Sequence, residues 1–353
     1  METGSRSGEC MVSGRNGGVV SRRTFAGGLL AGIGLAGASL LGLAGCSDGG
    51  QQRVASARSE ASKLPSVVIG TMPTEDTLPF YVAADQGLFA QAGIDATVEF
   101  FQSAQELSVA VTSGDVQLAM TDPMVSASLW AAGTHITLEW VTLGTDAGQG
   151  RFGVQVGPNS TFTSLADLAG VPVGVGSDTV PEYVFDVLMQ RAGVPDDQIV
   201  GEEIKKLPVR YQMMESGQVA AAALPGSMLA LGEANGCRTL ADDTTGENIS
   251  ASVMVAGAGF AQSSQGAAAL EVLKGVWDQA ASAINADPDA YRSVLIANAN
   301  LSDAVASSYP ISTYPTCVRP PADLVTPVLE WMTRKGYLAT ALTYHEEDGS
   351  FSA

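Results

Sequence analysis

The chain has 353 residues, 18 basic against 37 acidic side chains and a net charge of −19. That balance repels phosphate backbones and anionic lipid headgroups, which excludes nucleic-acid binding and membrane-coating roles. The length suffices for two lobes with cores of their own, while its 4 cysteines are too few for a disulfide framework.

The N-terminal segment stands apart from the rest. Ser21-Arg22-Arg23-Thr24-Phe25 opens a Gly/Ala/Leu-rich apolar run that closes at Leu43-Ala44-Gly45-Cys46, ahead of a polar stretch. The paired arginines resemble a twin-arginine export signal. Leu-Ala-Gly-Cys resembles a lipobox, whose cysteine is diacylated and becomes the new N-terminus. Residues 1–45 therefore read as an export signal and Cys46 as the lipidation site, which puts the protein on the extracytoplasmic face of the cell membrane. Phe25 to Gly45 is also long enough to span a bilayer, but its glycines and its terminal box favour cleavage. Ala26 stands where the export consensus has Leu, which leaves both folded export and threading open. Residues 46–65 mix Gly, Gln, Ser, Arg and Ala and read as a flexible tether.

Strand, loop and helix units follow. Val67 to Gly70 reads as a strand, Leu78 to Ala92 as one helix, and Ala96 to Phe101 as a second strand. A helix over Ala104 to Ser113 closes at Gly114; then come a strand over Val116 to Met120, a helix over Pro123 to Ala132 and a strand over Ile136 to Leu143. The pattern restarts with strands at Phe152 to Val156 and Pro172 to Val175, the latter after a short helix at Ser164 to Leu168, and a helix follows at Pro181 to Ala192. Further strands are expected near Ile199 to Ile204 and at Val219 to Leu224, with helices at Val209 to Ser216 and Ser227 to Asn235. Ile249 to Ala256 reads as a strand, and residues 265–343 as mostly helical. This is an α/β fold of two parallel-sheet lobes: residues 66–150 plus 250–353 form lobe I, residues 151–249 form lobe II, and two crossings act as a hinge. Cys237 and Cys317 can pair in an oxidising compartment or stand as two separate thiols.

Several motifs carry a family resemblance. Leu78-Pro79-Phe80-Tyr81-Val82-Ala83-Ala84 followed by Gly87-Leu88-Phe89, then Ser113-Gly114-Asp115-Val116-Gln117-Leu118-Ala119, Ser164-Leu165-Ala166-Asp167-Leu168-Ala169-Gly170 and Leu207-Pro208-Val209-Arg210-Tyr211 stand in the order seen in one group. Over residues 66 to 345 the chain resembles the solute-binding proteins of ABC importers for nitrate, sulfonate, taurine and thiamine-pyrimidine precursors. The resemblance implies a type II periplasmic-binding fold, a small-molecule ligand, permease and ATPase partners and a monomeric lipoprotein without cofactor. Gln117 replaces the group's usual Asp. Pro225-Gly226-Ser227 stands where relatives have Pro-Glu-Pro or Pro-Asp-Pro, so a carboxylate is absent there.

Ligands of such folds sit at the carboxyl ends of strands. The candidate binding residues are Thr74, Glu75, Asp76, Thr121, Asp122 and Thr145 before the crossing, and Ser177, Thr179, Glu182, Tyr183, Pro225 and Gly226 after it. These loops contain no Lys or Arg, Arg151 being the nearest, and their acids imply a ligand rich in hydrogen-bond donors or positive charge, such as an amino-pyrimidine. Each acid taken singly is also an ordinary helix cap. His135 and His345 lie far apart without metal-ligand spacing, and no nucleophile elbow or phosphate-cradling loop occurs, so the chain reads as a carrier and not an enzyme, with neither catalytic residues nor a metal site. The alternative is a sulfonate-, taurine- or nitrate-binding protein of the same fold; a pyrimidine synthase of that fold and a ligand-sensing lipoprotein rank behind it.

Overall fold

The computed structural model describes residues 64–299 and 301–353; the expected export signal, Cys46 and most of the tether lie outside the described residues. The first run comprises β1 (Val67–Thr71), α1 (Leu78–Asp85), α2 (Leu88–Gln91), β2 (Ala96–Phe100), α3 (Ala104–Ser113), β3 (Leu118–Thr121), α4 (Pro123–Ala131) and β4 (Ile136–Leu143). A second run follows: β5 (Phe152–Val156), β6 (Val173–Val175), α5 (Val180–Arg191), β7 (Gly201–Glu203), α6 (Leu207–Glu215), β8 (Ala221–Pro225), α7 (Gly226–Ala234) and β9 (Arg238–Asp242). The chain ends with β10 (Ser252–Gly257), α8 (Ala258–Ala261), α9 (Ser264–Ala286), α10 (Arg292–Asn298), α11 (Asp303–Ala306), α12 (Ala322–Lys335), β11 (Thr343–His345) and β12 (Ser350–Ser352).

Two sheets result, with strand orders β2-β1-β3-β10-β4 and β7-β6-β8-β5-β9, beside a small β11-β12 hairpin. Neither large sheet is wholly parallel, contrary to the sequence expectation. β1 runs parallel to β2 and β3, but β10 lies antiparallel between β3 and β4. In the second sheet β6 is parallel to β7 and β8, while β5 is antiparallel to β8 and β9. The physical reason is the route of the chain. β5 and β10 each enter their sheet from the other one, so no same-sheet βαβ crossover fixes their direction.

β3 and β4 are buried along their whole length, as strands covered on both faces are, even at Thr121, Thr137, Glu139 and Thr142. The single helix expected over Leu78 to Ala92 is broken instead: Gly87 takes the left-handed region at φ 67°, which ends one helix and starts the next. Strand β9 and the terminal hairpin were not anticipated. β9 is a polar edge strand, and the hairpin strands are 3 residues each, too short to show periodicity.

The expected helical tail covers the first sheet. Ala269, Leu270, Leu273, Val276, Trp277, Ala280, Ala281 and Ile284 form the buried stripe of α9. Trp277 meets Phe80 edge-on with ring centroids 5.2 Å apart, and Phe80 meets Trp140 at 6.1 Å. A second apolar cluster runs from Leu107 and Met124 through Val328 and Trp331 of α12 to Tyr183 and Val184 of α5, so α12 packs against helices of both sheets. Cys237 is buried, Cys317 half-buried, and both are free thiols. No helix among the described residues is long and apolar enough to cross a membrane.

Candidate functional site

A cavity of about 660 Å³ opens between the two five-stranded sheets, at the carboxyl ends of β1, β3, β6 and β8; lobe I and lobe II denote here the first and the second of these sheets with their helices. From lobe I, Asp76 is held by two hydroxyls: Thr74 Oγ1 donates to Oδ2 at 2.6 Å and Ser252 Oγ to Oδ1 at 2.5 Å. Asp122 precedes Pro123 and caps α4, its Oδ1 accepting from the Val125 amide at 2.8 Å. Its Oδ2 accepts from the Val180 amide at 3.2 Å, at the start of α5 in the other lobe. One carboxylate thus caps two helices across the cleft.

From lobe II, the Gly176–Thr179 turn leads into α5. Asp178 is the one non-glycine residue with positive φ (63°) among the described residues, in a region that disfavours a Cβ. Its Oδ2 accepts from the Ser128 hydroxyl of α4, and its Oδ1 is buried without a partner. The Asp178 amide donates to Glu182 Oε2 at 2.6 Å.

Burial dominates the electrostatics of these acids. It pushes Asp122 up to about 6, against the pull of the Val125 and Val180 amides, and Asp178 up to about 7, helped by the neighbouring Asp122 and Glu182 charges. Glu75 rises to about 7 through burial and the Asp76 charge. Each group binds its proton more tightly folded than unfolded, so their contribution to stability is greatest in acid and is lost as pH climbs from about 4 to about 7. The melting midpoint is therefore expected to be several degrees higher at pH 5 than at pH 8 by scanning calorimetry, each kcal/mol being worth about 2–4 °C. A midpoint that falls on acidification through this range would refute the assignment.

The cavity wall also contains cations, which corrects the expectation drawn from the loops. Lys205 and Arg210 both line it, brought in by β7 and α6. Arg210 is only 2% exposed. Its Nε donates to Ile204 O at 2.8 Å and its Nη1 to Ala223 O at 3.2 Å. Nη2 sits against Gly176, where a Cβ would come within 2.3 Å of it. No hydrogen bond or ion pair to Nη2 is found among the described residues. Burial lowers the guanidinium to about 10, yet it stays charged at neutral pH. The sequence carried a sign of this: Leu207, Arg210, Tyr211 and Met214 share the buried face of α6, so the arginine was bound to point inward.

Of the expected site residues, Thr74, Asp76, Thr121, Asp122, Ser177, Thr179 and Pro225 line the cavity. Thr179 donates to Gly176 O at 2.6 Å, and Ser177 donates to Glu203, another wall residue. Five others lie elsewhere. Glu75 accepts from Tyr309 at 2.5 Å and faces a separate cavity of about 560 Å³, with Gly226 packed behind it. Thr145 bonds Gln149 in an exposed loop. Glu182 and Tyr183 turn away from the cavity toward lobe I: Tyr337 donates to Glu182 Oε1 at 2.8 Å, and Tyr183 meets Trp331 edge-on at 5.2 Å. Successive residues of a helix point about 100° apart, so Glu182 and Tyr183 leave the cavity although Val180 and Pro181, just before them, line it.

Around the cavity the lobes are pinned together. Asp186 accepts from Trp331 Nε1 at 2.8 Å and pairs with Lys335 at 2.9 Å. At the mouth Lys205 donates to Gln105 at 2.7 Å and Lys206 pairs with Glu106 at 3.1 Å. His135 packs on Trp130 and His345 bonds Ser352, so neither reaches the cavity.

Residues 74–304 match the family model described as NMT1/THI5 like. No protein of the curated set matches the chain. Among solved structures, the alkanesulfonate-binding protein SsuA of Xanthomonas axonopodis pv. citri, bound to MOPS, is similar at 17% identity and TM-score 0.67 over 78% of this chain and 95% of that one. The periplasmic aliphatic sulphonate-binding protein SsuA of Escherichia coli aligns at 16% identity and TM-score 0.64, over 78% and 89%. A Candida albicans protein described as having the generic periplasmic binding protein fold aligns at 17% identity and TM-score 0.58, over 78% and 92%. At these identities the likeness establishes the periplasmic-binding-protein fold.

Proposed function

The chain belongs to the NMT1/THI5-like family, and from that premise we propose that it is the extracytoplasmic solute-binding component of an ABC importer. In this reading residues 1–45 direct export, Cys46 carries the lipid anchor, residues 46–65 tether a monomeric body, and lobe I (66–150 plus 250–353) closes on lobe II (151–249) around a small organic solute that is handed to a permease and its ATPase. It is a carrier and not an enzyme.

One observation supports this most: a buried guanidinium, Arg210, with its Nη2 free in a cleft between two lobes. A buried charge needs a counter-charge; Glu203 and Glu182 act on it from a distance, but no carboxylate lies within ion-pair reach among the described residues, and an acidic ligand would supply one. A sulfonate or carboxylate fits that demand, its oxygens accepting from Nη2, the terminal nitrogen that the backbone carbonyls leave unbonded. Met72, Val125, Leu129 and Leu207 offer apolar surface for the rest of the molecule. The amino-pyrimidine reading keeps support from Asp76, whose buried carboxylate has no cationic partner among the described residues.

Adding alkanesulfonates and alkanoic acids of graded chain length to the purified protein is expected to raise its melting midpoint and contract its radius of gyration, as ligand selects the closed form. Silence toward every acid, with chemical turnover of a pyrimidine precursor instead, would replace the carrier reading by the enzymatic one.

A further inference from the structure

We propose that closing of the cleft takes up protons: Glu75 from the side of the first sheet and Asp178 from the side of the second are each carried out of water onto a helix of the other, so acid alone favours the closed form. The proposal rests on the solute-binding reading above only for the premise that the two sheets with their helices open and close. To that premise it adds a control of the motion that needs no ligand.

The two acids are placed reciprocally. Asp178, in the turn before α5, reaches across to α4, where the Ser128 hydroxyl donates to its Oδ2. Glu75, in the loop after β1, reaches the first residue of α7. A Cβ on Gly226 would lie 2.7 Å from Glu75 Oε1 and equally close to the Tyr309 hydroxyl that donates to it, so only a glycine lets the carboxyl group come this near the helix. In each acid the second oxygen, Asp178 Oδ1 or Glu75 Oε2, is buried without a hydrogen-bond partner among the described residues. An ionised carboxylate in such a place costs its full desolvation, and a neutral acid far less.

No cation offsets either charge. Neither acid forms an ion pair among the described residues. Around Asp178 stand Asp122, the cap of α4, and Glu182 of α5, the latter met by Tyr337 and Lys335. Of the other charged groups in that wall, Glu203 accepts from Ser177, Asp76 from Thr74 and Ser252, Lys205 donates to Gln105, and Arg210 donates to two backbone carbonyls. Around Glu75 stand Asp76, Tyr309 and Tyr314, while Arg151 on the far side of Gly226 is taken by Glu233 and Asp242. Burial and like charges therefore hold both protons up to about 7. Separating the sheets returns both groups to water, where a carboxyl group loses its proton near pH 4. The closed form thus binds protons more tightly than the open one, and the advantage is lost as pH rises through about 7. Asp122 contributes less, because both its oxygens accept from amides, which favours its ionised form.

The test is small-angle neutron scattering of the full-length chain, without ligand, in contrast-matched detergent between pH 5.5 and pH 8. The ratio of closed to open form is expected to rise about tenfold or more as pH falls over that range, read as a smaller radius of gyration. Glu75→Gln combined with Asp178→Asn makes both groups neutral at every pH and keeps an acceptor for Tyr309 and for Ser128, and asparagine tolerates the positive φ at this turn. The double variant should have the compact radius already at pH 8 and keep it in acid, with thermal melting confirming the fold. Equal radii of the parent at the two pH values, or a double variant that still contracts in acid, overturns the proposal; contraction by an alkanesulfonate at constant pH then leaves the carrier in place. A chain that contracts neither in acid nor with alkanesulfonates or alkanoic acids counts against both.

Discussion

Replacing Arg210 with methionine is expected to weaken binding of the acidic ligand by about a hundredfold or more, while the ligand-free protein keeps its melting midpoint to within a few degrees. The first half follows from the unbonded Nη2, which carries two N–H groups: charge-assisted hydrogen bonds in a dry site contribute about 1.5–3 kcal/mol each. The second half follows from the residue's surroundings. Among the described residues no carboxylate lies within ion-pair distance of Arg210, and burial depresses its proton affinity to about 10 despite the Glu203 and Glu182 charges, so the charge itself opposes folding. Methionine fills similar space and removes that cost. What it gives up is the pair of bonds to Ile204 O and Ala223 O. These terms roughly cancel. Arg210→Lys should recover only part of the affinity, since an ammonium lacks the planar fork. Calorimetry against the tightest acid found, with scanning fluorimetry of the free protein, separates the two effects. An R210M variant that binds acids as the parent does would move the anion elsewhere in the cleft.

Gly144→Ala should destabilise the protein by about 3 kcal/mol. Gly144 follows β4 at the first crossing between the lobes, with φ at 95°. A Cβ there would lie 2.2 Å from Ser250 O and 2.8 Å from Ala251 Cα, both in the returning segment just before β10. The two crossings therefore touch, and Asn248 Nδ2 donates to Gly144 O at 2.6 Å to hold them together. The strained backbone costs about 1–2 kcal/mol, and forcing two backbones apart about 1–3 kcal/mol more. Gly133→Ala is the internal control. Its φ is 91°, yet nothing lies within 4 Å of the added methyl, so only the conformational part remains. Urea denaturation of the two variants should differ by about 2 kcal/mol; equal losses would mean that the crossings move apart freely.

The sequence exposed the fold because its signals were local. Helix α3 ends on Gly114 and the next long helix on Gly133, both with positive φ, and β4 is rich in Ile, Leu, Trp and Val. What it hid were relations between distant segments. The direction of β10 depends on where the chain comes from, not on the residues Ser252–Gly257. The same limit shaped the view of the site. Thr74, Asp76, Thr121, Asp122, Ser177, Thr179 and Pro225 were legible because strand ends and helix caps point into a cleft by construction. Glu75 adjoins two of them in sequence but faces the opposite way, since successive residues of a tight turn diverge. Arg210 was invisible to a search of loops because it lies inside a helix, on a face whose other members are plainly core.

The seat of β10 imposes an order on synthesis. The second sheet has all its strands once Asp242 has left the ribosome, whereas the first stays in two pieces, β2-β1-β3 and a lone β4, until Gly257 follows. The half of the chain made first is thus the later to close. In the interval β3 and β4 each present an open edge, and a neighbouring nascent chain can offer its own β10 as readily as the growing one can.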